Sequence, residues 1–154
     1  MIRTLGPRDT LDYYDSQSVT LACPVAPLEA WNIIMAHPQP VLRAAFAVRD
    51  AISARFGVKR IGGFTGARVT QVAAGDYLDF FLVEELAPDT LVLSARDRHL
   101  DLMTCVSSEG PQLTITASVV THNLFGRAYM VPVGIAHRPI VRGMLDRLAR
   151  AVAG

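Results

Sequence analysis

Four histidines, His37, His99, His122 and His137, are the residues of this chain best suited to proton transfer or metal binding. They fall in four separate segments, and no pair has the i, i+4 or His-x-His spacing that would present two ring nitrogens to one ion. No metal site is expected. Asp101 follows His99 by two residues, the spacing that puts both on one face of a strand, so His99 and Asp101 are candidates for a base and the carboxylate that orients it. A solvated pair on the outside of the sheet is the plainer reading. Cys23 and Cys105 form neither a Cys-x-x-Cys motif nor a metal-ligand set, and there is no Gly-x-Ser-x-Gly elbow, so covalent hydrolysis is not expected. The run Gly62-Gly63-Phe64-Thr65-Gly66 lacks the Lys-Ser/Thr of a phosphate loop and the preceding strand of a dinucleotide fingerprint. It reads as a bend, and no cofactor is expected.

Composition narrows the classes further. The 154 residues suit one domain, 1–154, and carry Lys+Arg 15 against Asp+Glu 14, a net charge of +1. That balance gives no basic surface for nucleic acid. Hydrophobic residues make up 51% and charged residues 19%, an apolar share that excludes disorder. Two thiols fit a reducing compartment, and the first ten residues show no secretory pattern, so a cytoplasmic location is expected. The longest apolar candidate, Tyr129 to Ala136, is far short of the roughly 18–20 residues a membrane span needs.

The periodicity orders the elements. Tyr13–Ala22 reads as a first strand with Val19 and Leu21 on one face. Pro27 suits the first turn of a short helix carrying Leu28, Trp31, Ile34 and Met35 on one side, and the prolines at 38 and 40 end it. A second helix is expected over Val41–Phe56. The period then changes to two: a weak strand at Ala67–Val72, a strong one at Tyr77–Leu86 with Leu78, Phe80, Leu82 and Leu86 on one face, then Leu91–Ala95, Arg98–Val106 and Leu113–Thr121. From Leu124 to Val152 the period is helical, with Pro132 and Pro139 expected to bend or split the helix. Strands gathered together and helices set apart from them make an α+β fold.

This order resembles the helix-grip fold of the START/Bet v 1-like (SRPBCC) superfamily, in which a curved antiparallel sheet wraps a long C-terminal helix, with two short helices after strand 1. More specifically, Arg98-His99-Leu100-Asp101-Leu102 and His122-Asn123-Leu124-Phe125-Gly126-Arg127-Ala128-Tyr129, followed by Val131-Pro132 and His137-Arg138-Pro139-Ile140-Val141, resemble the DUF2867 family, a bacterial group of unknown function. The stretch Gly134-Ile135-Ala136 stands where that family tends to carry Phe, which would widen a cavity or loosen the helix.

The resemblance and the apolar surplus together imply a binding module: a pocket between sheet and C-terminal helix for a hydrophobic or amphipathic small molecule, such as a fatty acid, a polyketide or an aromatic acid. Arg98, pointing inward by strand parity with Leu100 and Leu102, would meet either Glu84 or Asp97 or a ligand anion. Tyr129 and His137, eight residues apart and near one helical face, would line the pocket or sit satisfied in the core. Phe80 would complete its apolar wall, and Trp31 and Phe46, on the two short helices, would either join it or pack as a lid. Two alternatives stand beside this reading. One is an acid–base enzyme of the cyclase, dehydratase or isomerase type, using His137 or the His99-Asp101 pair. The other is a homodimer that buries the surplus apolar surface without a ligand.

Overall fold

A computed structural model describes residues 2–36, Ala47, Asp50 and 68–154. Along the chain run β1 (Tyr13–Thr20), α1 (Pro27–Ala36), β2 (Tyr77–Leu78), β3 (Phe81–Ala87), β4 (Thr90–Arg96), β5 (Leu100–Glu109), β6 (Gln112–Thr121) and α2 (Leu124–Ala153), with a 3-10 turn at Arg8–Thr10 before the first strand. All six strands are antiparallel neighbours in one open sheet of order β1-β6-β5-β4-β3-β2. The fold is α+β, a six-stranded antiparallel sheet with a long C-terminal helix. The expected second helix, Val41–Phe56, lies outside the described residues except for Ala47 and Asp50, both helical. Phe46 lies outside them too.

Strict alternation gives the sheet two unlike faces. Val19, Leu113, Ile115, Val106, Leu91, Leu93, Val83, Phe81 and Leu78 face the helices and form the core with Trp31, Ile34 and Met35 of α1 and Val141, Leu145 and Leu148 of α2. The opposite face is polar along β1 and β6, where hydroxyls pair across the strands: Ser16 with Thr116 at 2.9 Å and Ser18 with Thr114 at 2.7 Å. Toward the middle of that face the N-terminal segment lies as a strap. Leu5 packs on Val92, Met103 and Cys105, the Leu5 amide donates to the Ser118 hydroxyl, and the Arg3 amide donates to the Cys105 sulfur. A second small core thus forms on what period-two reading makes the wet side.

Four local expectations are corrected. Tyr77–Leu86 is a hairpin, because Asp79 takes a positive φ of 55° and Asp79-Phe80 turn the chain between the paired Leu78 and Phe81; Asp tolerates that region better than most residues. The turn shifts the parity, so Phe81 and Val83 face the core while Leu82 and Glu84 face away. A bulge between Val83 and Glu85 shifts it again, which returns Leu86 to the core side opposite Leu91 and sets both Glu84 and Glu85 outward. The described part of the expected strand 67–72 forms no ladder, because both backbone groups of Val69 are taken by the Asn32 side-chain amide, at 2.6 and 2.9 Å. The strand expected from Arg98 starts at Leu100, because the Asp97 carboxylate accepts from the amides of His99 and Leu100 and holds that stretch as an Asx turn. Finally, Pro132 and Pro139 do not split α2, which runs as one helix through both. Both prolines lie on its exposed side, where water can serve the carbonyls their missing N–H groups leave free.

Candidate functional site

Tyr13, Asp15, Gln17 and Val19 alternate onto the inner face of β1, and the first three of these positions are polar. They meet the middle of α2. Gly134 allows the approach: a Cβ there would stand 3.0 Å from Cε2 of Tyr13. The Tyr13 ring fills the place a side chain at this position would take. The Tyr13 hydroxyl donates to the Gly134 carbonyl at 3.3 Å and lies 3.2 Å from Nδ1 of His137, whose ring stands edge-on to that of Tyr13.

Asp15 sits behind this pair with 8% of its side chain exposed. Its Oδ2 accepts from Nε2 of Gln17 at 2.9 Å and lies 3.6 Å from Nδ1 of His137; its Oδ1 lies 3.7 Å from Nε of Arg138. The Gln17 amide also donates to the Arg138 carbonyl. Burial lowers the His137 pKa from the ordinary 6.5, the nearby Asp15 carboxylate opposes that shift, and Arg138 adds to it. Burial also raises the Tyr13 pKa above 10.0. At neutral pH the cluster holds a neutral imidazole beside a protonated phenol. Such an imidazole can accept a hydrogen bond or a proton.

A second polar group lies at the start of α2. Asn123 caps the helix by accepting from the Gly126 amide at 2.9 Å, while its side-chain amide meets Nδ1 of His99 and donates to the Arg98 carbonyl. The His99 ring packs on Phe125 at 4.4 Å, Phe125 stacks on Tyr129 at 6.4 Å, and the His99 carbonyl accepts from the His122 amide. The two sequence stretches that begin at Arg98 and His122 therefore meet.

This geometry revises several expected site residues. Arg98 is exposed in the Asx turn, with its Nε 3.3 Å from Nε2 of His99, and does not point with Leu100 and Leu102 to the covered side. Glu84 is bonded instead by Ser94 and Arg96. His99 and Asp101 do not pair, because one sits in the turn and the other in the ladder. Asp101 meets Arg96 across the strands and Nε2 of His122, each at 3.1 Å. Trp31 is core, edge-on to Phe81 at 5.8 Å. Phe80 is half-buried on Phe81. Tyr129 and His137 have different neighbours, Phe125 and Tyr13. Sequence reasoning missed Tyr13, Asp15 and Gln17, although their shared parity with Val19 was a signal: polar residues on the covered side of a strand demand partners.

Among the described residues, the inner face between these clusters is only partly buried. Rows across the sheet run Tyr13, Val119, Leu102, Ala95 and Asp15, Ala117, Thr104, Leu93. Leu102, Ala95, Thr104 and Leu100 all keep partial exposure, although β5 lies inside the sheet. The same holds on α2. Met130, Val133 and His137 share the helical side of Val141, Met144 and Leu148 and stay partly exposed, whereas Val141 and Leu148 are buried. Among the described residues no group of three His, Cys, Asp or Glu converges to hold a metal, and no helix is long and apolar enough to cross a membrane.

The family model described as "Protein of unknown function (DUF2867)" matches residues 8–144. The chain belongs to the DUF2867 family. In this DUF2867 chain the matched range takes in both polar clusters and the whole of the sheet. No curated protein matches the chain. A solved structure similar to it, a hypothetical protein jhp0584 from Helicobacter pylori, shares 16% identity over 99% of this chain and 97% of that one, with a TM-score of 0.43.

Proposed function

We propose that this protein binds a hydrophobic or amphipathic small molecule between the inner face of the sheet and the N-terminal half of α2. One observation carries the reading: among the described residues, Leu100, Leu102, Thr104 and Ala95 on the inner face of the sheet and Met130, Val133 and His137 on the core side of the helix all keep partial exposure, in a fold where close packing is the rule. Leu100 and Leu102 supply apolar wall, and Tyr129 and His137 supply polar fixing points. Strand order supports a helix-grip architecture of the START/Bet v 1-like kind, since β1 lies beside β6, the strand that leads into the long helix. The test is uptake of Nile red, a neutral dye that brightens in apolar surroundings, followed by displacement with amphipathic lipids. Thr104→Phe fills the half-open strip from its centre and is expected to abolish uptake without unfolding the protein. Uptake unchanged in that variant would place the dye elsewhere and reject the reading.

A second reading, association of two copies, is favoured by a different observation. Leu124, Val131 and Ile135 follow one line along the outside of α2 and are 79%, 65% and 74% exposed. Sedimentation of the protein and of a Val131→Glu, Ile135→Lys variant tests it. A dimer that the double substitution splits is the expected result of this reading.

A further inference from the structure

The hydrogen-bond donors of the Tyr13–Asp15–His137 cluster determine which ligands His137 can recognise, given the binding cleft proposed above. The Tyr13 hydroxyl has one proton, and the Gly134 carbonyl, which can only accept, takes it at 3.3 Å. The hydroxyl must then accept from His137, so Nδ1 carries the imidazole proton. The Asp15 carboxylate, 3.6 Å from the same nitrogen, favours that tautomer as well. Gln17 spends its two amide protons on Asp15 and on the Arg138 carbonyl. Arg138 turns its Nε toward Asp15, its guanidinium also donates to the Tyr13 hydroxyl, which has a second lone pair to receive it, and the side chain is otherwise mostly in solvent. The donors of Tyr13, Gln17 and Nδ1 of His137 are thus committed inside the cluster. What remains is one acceptor, the lone pair on Nε2 of a ring that keeps a quarter of its side-chain surface open.

We infer that His137 selects a neutral ligand that donates a hydrogen bond, an alcohol or phenol, over a carboxylate of the same size. A carboxylate needs a donor and would meet a lone pair with a buried carboxylate behind it. An ester offers no proton and gains nothing there. The groups that face the imidazole are Tyr13 and Asp15 from β1 and Arg138 from α2, and Arg138 offsets the Asp15 charge from the solvent side. The selection therefore rests on hydrogen-bond polarity more than on net charge.

The inference depends on the cleft reading, and matched ligands separate the two. Decanol, decanoic acid and methyl decanoate, at neutral pH, compete for bound Nile red. Decanol is expected to displace the dye at about tenfold lower concentration than either of the others, the worth of one hydrogen bond. His137→Phe keeps an aromatic ring and loses the acceptor, so the preference for decanol over decanoic acid and methyl decanoate should disappear, whatever the affinity of the variant for the dye itself. Proton–nitrogen correlation spectra of the free protein give an independent readout: Nδ1 protonated and Nε2 bare, with the assignment disturbed in Tyr13→Phe. No dye uptake overturns the cleft and this inference together. Uptake with decanoic acid binding as well as decanol, or a proton found on Nε2, overturns the inference and leaves the cleft standing.

Discussion

Gly126, in the first turn of α2, lies against the carbonyl oxygen of His99, and a Cβ at that position would fall well inside the distance real Cβ atoms keep from backbone oxygen. The helix start and the turn before β5 are therefore fitted backbone to backbone. That fit fixes where the Asn123 cap, the His99 ring and Phe125 meet. It also sets the position from which α2 crosses to Tyr13 and Asp15.

Gly126→Ala should lose about 1–3 kcal/mol in urea unfolding, because a backbone oxygen cannot swing aside as a side chain can. The better helix propensity of Ala, worth about 1 kcal/mol, does not offset it. Gly134→Ala meets only the Tyr13 ring, at 3.0 Å. A ring can shift by a few tenths of an ångström, so this variant should stay within about 1 kcal/mol of the parent. Equal losses at both positions would contradict the difference between backbone and side-chain neighbours.

The His137 shift has a signed consequence for stability. Its pKa is lowered in the folded protein by burial, so the unfolded chain binds the proton more readily. Stability from this group is complete above the ordinary value of 6.5 and falls as pH drops below it, until the folded group is also protonated. Asp15→Asn removes the one influence that opposes the shift, and should steepen the loss of melting temperature on acidification. Melting curves taken from neutral to mildly acidic pH, with His137→Phe as the reference that lacks the titration, measure it.

Glu84 titrates in the opposite sense. The Ser94 hydroxyl, 2.7 Å away, is the main cause of its lowered pKa, and Arg96 adds to it. The stability it contributes is present above 4.5 and lost as pH falls through the lower folded value. Ser94→Ala should cost about 0.5–1.5 kcal/mol at neutral pH and less in acid, where the carboxylate is protonated anyway. A loss that does not change with pH would break the link to Glu84.

The two thiols should differ sharply toward a thiol reagent. Cys23 is exposed, while Cys105 is buried, and burial pushes its pKa up. One thiol should react in the native protein and two after unfolding. Removing residues 1–6 takes away Leu5 and the Arg3 amide from the outer face. The expected result is a second reactive thiol and a stability loss of about 1–2 kcal/mol.

Much of the scaffold was legible because it follows from short-range periodicity. Alternation at Leu113–Thr121 and the Pro88-Asp89 turn before Leu91–Ala95 mark strands, and the apolar stripe through Ile140, Met144 and Leu148 marks a helix that lies on the sheet. The strong strand from Tyr77 was only half right, since a single Asp at positive φ is enough to fold it back and exchange its faces. Arg98 was misplaced for a related reason. The Asp97 side chain captures two amides that a ladder would otherwise use, and the parity count starts two residues too early.

By itself, then, the sequence determined the α+β class, the later strands, the long C-terminal helix and the two motifs around Arg98 and His122, because local backbone preference and side-chain alternation are written within a few residues of one another. Only the tertiary structure decided which polar groups share a site. Asp15 and His137 are 122 residues apart, and nothing within either segment selects the other. They meet because β1 pairs with β6 at one edge of the sheet and α2 crosses back over that edge. A buried carboxylate must then find its hydrogen bonds among whatever the packing places beside it.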